Sequence, residues 1–269
     1  MSWPPLLLAV APTGARRTPA DHPALPVTPE DIGATAAACR DAGAAMLHLH
    51  VRDFDGRHTL DPLAYRDAIA AVRDRVGDGM VVQITTEAAG RYRPAEQIAA
   101  VRAIRPEAVS VAWREIAPDD GHERAAITFL RWCRGRGIAV QIILYTPDDV
   151  AGWREVEGQH PALADVARLY VLGRHGGKPG QPEDIFAFRQ ADAGSAAPWM
   201  VCAFGPRETA CAVVAMALGG DARVGFENNL TLPDGTTAPD NAALVAAAAR
   251  AGAAIGRPPA SGPGVRTRL

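Results

Sequence analysis

Two histidines alternate with leucines in the segment MLHLHVRD at residues 46–53. Alternate residues of a β-strand face the same side, so we expect His48 and His50 to point together while their apolar neighbours face the other way. Two imidazoles on one face are typical ligands of zinc. A pair of hydrogen-bonded core histidines is the other interpretation, and a third ligand would favour the metal.

A carboxylate supplies that third ligand at Glu227, in the segment RVGFENN at residues 223–229. In a closed barrel the second and the last strand both flank the first, so Glu227 would approach His48 and His50. Two histidines, one glutamate and an open fourth position form a catalytic zinc site that polarises a carbonyl. The alternative is a structural ion pair between Glu227 and Arg223.

Short apolar runs alternate with longer, Ala-rich segments of helical spacing along the whole chain, eight of each. The strands are expected at residues 6–11, 46–51, 80–85, 108–113, 139–145, 169–173, 199–203 and 222–227. The helices are expected near residues 30–43, 62–76, 94–104, 121–136, 148–157, 182–191, 207–218 and 239–255.

This alternation predicts an α/β protein with one (β/α)8 TIM barrel over residues 1–256 and a Pro/Gly-rich C-terminal arm over residues 257–269. Barrel active sites lie at the carboxyl ends of the strands, which is where His48 and His50 fall. A doubly wound open sheet is the alternative. It would need a GxGxxG turn after the first strand, and the segment PTGA at residues 12–15 does not contain one.

The composition excludes several classes of protein. Lys and Arg total 28 against 30 Asp and Glu, and no segment forms a basic stripe, so we expect no nucleic-acid surface. The longest apolar runs fall short of the roughly 18 residues of a membrane-spanning helix. The 4 cysteines lack CxxC spacing, which indicates reduced thiols in a cytoplasmic enzyme.

The chain resembles the β-keto acid cleavage enzymes over nearly its whole length. The resemblance is carried by HLHVRD and RVGFEN in this order, with APTGA at residues 11–15, QITT at residues 83–86 and VLG at residues 171–173. It implies a TIM barrel, usually a homotetramer, that binds Zn2+ through the positions of His48, His50 and Glu227. It also implies that a β-keto acid condenses with acetyl-CoA, and that a retro-Claisen step releases acetoacetate and a new acyl-CoA.

The same resemblance implies roles for residues around the metal. Arg223 matches an arginine that orients the substrate and the acidic group, and Thr85 matches a residue that donates a hydrogen bond to the substrate carboxylate. The expected catalytic positions are Glu227, Asn228, Arg223 and Thr85. The expected substrate-binding positions are Thr13, Gly14, Arg16, Thr86 and Ser110.

Two departures from the family pattern alter the expected chemistry. Asn228 stands where the family has an aspartate thought to act as the base, and an amide cannot take up a proton usefully. Arg16 stands where the family has a glutamate, so it would favour an anionic or dicarboxylic substrate if it reaches the pocket. The strand-end residues Glu87, Glu115 and His175 are candidates for a replacement base.

Two further functions compete with β-keto acid cleavage. A divergent metal-binding barrel with another lyase activity, or with no catalysis, would follow from the loss of the base at Asn228. Metal-dependent hydrolases also use His-x-His, but on the first strand and with an aspartate ligand on the eighth. Here the pair falls on the second strand and the eighth ends in Glu227, which makes that class the weaker hypothesis.

Overall fold

The computed structural model describes residues 4–266, and within them eight parallel strands close a barrel in which each strand pairs with its neighbours in chain order and the last pairs with the first. The strands are β1 (Leu8–Val10), β2 (Met46–Leu49), β3 (Val81–Thr85), β4 (Ala108–Ala112), β5 (Ala139–Leu144), β6 (Ala167–Leu172), β7 (Trp199–Ala203) and β8 (Asp221–Val224). The predicted TIM barrel is confirmed.

A helix follows each strand and packs on the outside of the barrel. The main helices are α1 (Pro29–Asp41), α2 (Pro62–Val76), α3 (Pro94–Ile104), α4 (Asp120–Gly135), α5 (Pro147–Gln159), α6 (Asp184–Ala191), α7 (Glu208–Ala217) and α8 (Asn241–Ala254). Thr28 and Thr146 begin α1 and α5 with capping boxes, and a proline follows each at the first helical position. No helix of the described residues is long and apolar enough to cross a membrane.

Three elements of the fold differ from the sequence expectation. After β2 the chain forms a short antiparallel hairpin, Val51–Arg52 with His58–Thr59, and after β4 it forms a short helix, Trp113–Ile116. The last strand ends at Val224, so Glu227 lies in the turn beyond it. The chain leaves the sheet there because Gly225 has a φ of 137° and lies against the carbonyl of Ala11.

The alternation of side chains divides the apolar core into two parts. Leu47 and Leu49 belong to the layer between strands and helices, while Ala9, Met46 and Val81 fill the inside of the barrel. Strand β2 thus turns its leucines outward, and the histidines between them face inward.

The end of the described chain closes the amino-terminal side of the barrel. Arg257 is buried and donates hydrogen bonds to the carbonyl oxygens of Pro4 and Met216. The short helix Gly262–Arg266 follows, and its buried Val265 joins the apolar core inside the barrel. The predicted C-terminal arm thus packs on the barrel as far as Arg266, and its residues 267–269 lie outside the described residues.

Candidate active site

Three predicted ligands meet at the carboxyl end of the barrel. His48 Nε2 lies 3.1 Å from His50 Nε2, and Glu227 Oε2 lies 3.2 Å from His50 Nε2 and 3.7 Å from His48 Nε2. Both histidines are buried and the Glu227 side chain is 12% exposed. The structure therefore brings two imidazoles and one carboxylate to a common point.

The spacing of these atoms fits a zinc ion. Ligands about 2.0–2.1 Å from a tetrahedral zinc are about 3.3 Å from one another, close to the three observed distances. Within the described residues, Glu227 Oε2 is buried without a hydrogen-bond partner, which leaves it available as a ligand. Burial and the nearby Arg223 hold the pKa of His48 well below its usual range, so its imidazole is neutral, as a ligand must be.

A glutamine on the neighbouring strand orients His48. Gln83 and His48 lie opposite each other on β3 and β2, and His48 Nδ1 is 2.8 Å from Gln83 Oε1. The amide oxygen only accepts, so Nδ1 carries the proton and Nε2 presents its lone pair to the metal. The nitrogen of Gln83 in turn donates to Gln141 Oε1 at 3.2 Å, which fixes the orientation of the amide.

The turn that carries Glu227 is held by contacts from three sides. The amide of Glu227 donates to the carbonyl of Ala11, and the amide of Phe226 donates to Asn241 Oδ1. Glu208 accepts from the amide of Gly225 at 3.0 Å and from Asn229 Nδ2 at 3.3 Å. This carboxyl is fully enclosed, and burial raises its pKa to about 8.

Arg223 and Glu227 form the ion pair that was the alternative to a metal site. Arg223 Nη2 donates to Glu227 Oε1 at 2.9 Å, while the other carboxylate oxygen faces the histidines. Burial alone would raise the pKa of Glu227, but the Arg223 guanidinium beside it holds that pKa well below its usual range. The two interpretations are thus compatible, since one oxygen serves each partner.

The three ligands form part of the wall of a cavity of about 250 Å³, here called the central cavity. Its wall comes from the loops after most of the strands. It is lined by Thr13, Gly14, Ala15, Arg16, Arg17, His48, His50, Thr85, Glu87, Ala112, Arg114, Glu115, Ile143, Tyr145, Val171, Arg174, His175, Phe204, Arg223 and Glu227. Of the predicted site residues, Thr13, Gly14, Arg16, Thr85, Arg223 and Glu227 therefore lie on this wall.

Three predicted site residues do not line the cavity, and each departure has a structural reason. Thr86 follows the inward-facing Thr85 and so points the other way, with its hydroxyl donating to the carbonyl of Ser110. Ser110 lies two residues before the lining Ala112 and is buried one layer deeper inside the barrel. Asn228 is fully buried, and within the described chain neither polar atom of its side chain has a partner.

All three candidates for a replacement base do line the cavity. Glu87 forms an ion pair with Arg16 at 2.7 Å. Glu115 accepts from the amide of Ala88 at 2.9 Å, and burial raises its pKa. His175 is exposed, and the slight burial of its ring and the nearby Arg17 lower its pKa.

Sequence reasoning missed several residues that shape this site. Arg17 and Tyr145 line the cavity, and the Arg114 guanidinium stacks on the Tyr145 ring at 3.7 Å from its centre. His58, from the inserted hairpin, packs against His50 with ring centres 5.3 Å apart. Gln83 lies two residues before Thr85 on the same strand, so its inward direction could have been predicted from the sequence. No sequence pattern predicted the hairpin that carries His58.

Comparison with known proteins places the chain in a family. The family model described as "beta-keto acid cleavage enzyme" matches residues 5–269. A 3-keto-5-aminohexanoate cleavage enzyme of Acetoanaerobium sticklandii is 26% identical over 95% of this chain and 94% of its own length. A 3-oxoadipate:acetyl-CoA acetyltransferase of Cupriavidus necator is 27% identical over 96% of this chain and 92% of its own length.

A solved structure supports the fold. The binary complex of ObcA with oxaloacetate superimposes with a TM-score of 0.74 at 18% identity, over 91% of this chain and 67% of that one. The barrel is thus shared with a known structure, and the family match extends over the described strands and the loops that carry the histidines and Glu227. The chain belongs to the beta-keto acid cleavage enzyme family and is an acyl-transferring enzyme that cleaves carbon–carbon bonds.

Proposed function

We propose that this enzyme condenses a β-keto acid with acetyl-CoA and releases acetoacetate and a new acyl-CoA, with Zn2+ as its metal. The observation that carries the proposal is the cluster of His48, His50 and Glu227 in the wall of a cavity that also contains Arg223. The two relatives described above carry the names of enzymes acting on keto acids, which supports the same chemistry.

The donor set fits zinc, with His48, His50 and Glu227 as the ligands. The neutral imidazole of His48, an unpartnered carboxylate oxygen and a glutamine that fixes one imidazole are the features of such a site. A bound zinc would act as a Lewis acid for the oxygen atoms of a β-keto acid and ease loss of a proton next to the ketone.

We assign the orientation of the substrate carboxylate to Arg223 and Thr85. Arg223 uses Nη2 for Glu227 and Cys202, and its Nε and Nη1 are buried without a partner among residues 4–266. The Thr85 hydroxyl oxygen accepts from the amide of Glu87 at 2.9 Å, which leaves its hydrogen free to donate. A carboxylate bound by these donors would also satisfy the buried nitrogens of Arg223. Thr13 and Gly14 lie on the same wall and, as proposed substrate contacts, bound the space beside Glu227.

The reaction needs a base that removes a proton from the carbon between the ketone and the carboxylate. That carbon then attacks the thioester carbonyl of acetyl-CoA and expels the thiol. The thiol adds to the original ketone, the bond between that ketone carbon and the attacking carbon breaks, and a proton returns to the acetoacetate carbon. We assign the proton transfers to Glu115, since it lines the cavity and burial raises its pKa toward neutrality.

Metal content and product formation test the proposal together. Protein purified without chelators should contain about one zinc per chain by elemental analysis. Incubation with acetyl-CoA and a panel of β-keto acids should give acetoacetate by mass spectrometry. His48→Ala should lose the zinc while His122→Ala, on the outer helix α4, should keep it; stoichiometric zinc in His48→Ala would refute the ligand assignment.

A second function, a metal-binding barrel without the cleavage reaction, is favoured by one observation. The side chain of Asn228 replaces the expected base and is shut away from the cavity. Zinc without acetoacetate from any acid of the panel would establish this alternative, whereas zinc with acetoacetate would exclude it.

The assembly and the second substrate remain parts of the same proposal. We propose a homotetramer in the cytoplasm that takes acetyl-CoA as its co-substrate. Light scattering on the purified protein measures the mass of the assembly, and a mass of four chains is the expected result. A stable monomer with full activity would contradict it.

A further inference from the structure

The central cavity carries an excess of positive charge that its own carboxylates do not balance. In the part of the chain that the structure describes, five arginines and three glutamates line it. Three of the arginines are matched, because Arg223 pairs with Glu227 at 2.9 Å, Arg16 pairs with Glu87 at 2.7 Å and Arg114 lies 4.0 Å from Asp149. The remaining lining arginines, Arg17 and Arg174, are available to the negative charge of a ligand.

Arg17 is the unmatched arginine that lies deepest. Its side chain is half-buried. Within residues 4–266, its Nη1 is enclosed without an acceptor and no carboxylate lies within 4.0 Å of its guanidinium. Its other terminal nitrogen, Nη2, makes one long contact of 3.5 Å to the carbonyl of Asn228. A guanidinium is costly to bury in this way, unless an anion completes its hydrogen bonds.

The loop that carries Arg17 is fixed by another arginine. Arg52, at the end of the histidine segment, donates from Nη2 to the carbonyl of Gly14 at 2.7 Å and to the carbonyl of Arg17 at 2.8 Å. Its Nη1 donates to the carbonyl of Gly56 in the hairpin at 3.1 Å. The position of Arg17 is thus set before any ligand arrives, as recognition of a particular anion requires.

The contact with Asn228 places Arg17 beside the metal ligands, since Asn228 directly follows Glu227. An anionic group bound by Arg17 would therefore be separated from the reacting ketone by only a few atoms of the substrate. The phosphates of acetyl-CoA are separated from its thioester by the long pantetheine arm, so a second carboxylate on the keto acid fits this position better.

We propose that Arg17 binds the distal carboxylate of a β-keto dicarboxylic acid, and that this enzyme selects such acids over β-keto acids with an apolar chain. This inference rests on the proposed function and names its substrate class. Arg17 is then a specificity-determining residue, while Arg16, whose charge is taken up by Glu87, contributes to the wall of the cavity.

Two acids of equal chain length test the proposal, 3-oxoadipate with a distal carboxylate and 3-oxohexanoate with a methyl group in its place. Binding to the zinc-loaded protein is measured by calorimetry, which needs no turnover, and kcat/KM is measured with acetyl-CoA. We expect the wild type to prefer 3-oxoadipate by at least about tenfold in both readouts, the effect of one charge-assisted hydrogen-bonded pair.

Arg17→Met should remove this preference by weakening 3-oxoadipate alone, and Arg17→Lys should restore part of it. Arg207→Met is the matched control, because Arg207 is exposed near the same end of the barrel and does not line the cavity. Unchanged circular dichroism and melting temperature show that each variant is folded.

Equal affinity of the wild type for both acids, or an equal loss for both in Arg17→Met, would overturn the proposal. A rise in KM for acetyl-CoA in Arg17→Met, without a rise for acetyl-pantetheine, would assign Arg17 to a coenzyme A phosphate instead. Selective binding of 3-oxoadipate without turnover would support Arg17 as the carboxylate ligand and count against the proposed reaction, so the two failures are distinct.

Discussion

Gly14 and Glu227 touch where the neighbouring loops after β1 and β8 meet. A Cβ atom on Gly14 would lie 2.7 Å from Cγ of Glu227, and Gly14 has a φ of 67°. The segment PTGA after β1 therefore needs glycine for two reasons, its left-handed backbone and the closeness of the metal-ligand side chain. This contact couples the first loop of the barrel to the last.

Gly14→Ala is expected to displace Glu227 and weaken zinc binding. The methyl group must push the Glu227 side chain away, and we expect a loss of about tenfold or more in affinity, the size of effect that outer residues have on metal sites. Competition with a chromogenic chelator measures the affinity. Gly176→Ala is the control, because Gly176 has a φ of 66° and open space around it. An equal loss of zinc affinity in both variants would show that backbone strain alone causes the effect.

Gln83→Leu should also weaken zinc binding, through the orientation of His48. Without the amide oxygen, His48 Nδ1 loses its acceptor and either nitrogen of the ring can carry the proton. Loss of such a partner costs about 10–100-fold in metal affinity. Gln141→Leu removes the next amide of the same chain and should cost much less. Equal zinc affinity of Gln83→Leu and wild type would show that the histidine is oriented by other contacts.

The alternation of side chains along the strands was enough to predict the barrel and the inward direction of the two histidines. The depth of a residue within the barrel could not be predicted in this way. Parity along β2 is enough to place His48 and His50 inside, because a strand turns every second residue the same way. Parity also separates Thr85 from Thr86, although both were expected at the substrate. Ser110 faces inward as expected, but it lies too deep in the barrel to reach the cavity. The stagger between strands decides which inward layer lines the cavity, and the sequence of a single strand does not encode that stagger.

The direction of the Arg17 side chain could not be predicted from the sequence pattern either. Arg16 and Arg17 are neighbours in a loop, where no period distinguishes an inward side chain from an outward one. The difference comes from contacts distant in sequence, with Glu87 holding Arg16 and Arg52 holding the carbonyl of Arg17. Loops over a barrel owe their conformation to such tertiary contacts, and the residues that give specificity are the hardest to identify.

Glu115→Gln is expected to lower kcat by about 100-fold or more and change KM little, because general base catalysis contributes about 10²–10⁴ to a rate. Burial raises the pKa of Glu115, so in the wild type the activity should rise with pH through a value above that of an ordinary glutamate. Stopped assays of acetoacetate across the pH range in which the protein stays folded measure this limb.

Glu87→Gln is the comparison for that variant, since Glu87 lines the same cavity and forms an ion pair with the exposed Arg16. We expect a smaller loss of kcat and an unchanged acid limb of the pH profile. A larger loss in Glu87→Gln, with the limb abolished, would transfer the role of base to Glu87.

Asn228→Asp is expected to destabilise the protein without raising its activity. The side chain of Asn228 is fully buried and does not line the cavity, so an aspartate there would be an enclosed charge without a partner. Burying such a group costs about 1–3 kcal/mol or more, to be read from urea unfolding. Asn228→Ala removes the polar atoms that lack partners and should cost less. A faster cleavage by Asn228→Asp in an intact protein would show that this position does reach the substrate.

Glu208→Gln should flatten the dependence of stability on pH. Burial raises the pKa of Glu208 to about 8, above that of a glutamate in the unfolded chain. The folded state therefore holds its proton more tightly, so this contribution to stability is complete below the unfolded pKa and is lost as the pH rises toward 8. The loss is about 1.4 kcal/mol for each pH unit between the two pKa values.

The glutamine variant keeps an acceptor for the amide of Gly225 but has no titratable proton at this position. Its free energy of unfolding should therefore change less than that of the wild type between pH 5.5 and pH 8, roughly the window in which Glu208 is ionised only in the unfolded state. Urea unfolding across this range measures both slopes, and comparing slopes removes any constant cost of the altered contact with Asn229. Identical slopes in the two proteins would mean that Glu208 is ionised in the folded state, and that the turn carrying Glu227 is held by a buried carboxylate rather than by a neutral acid.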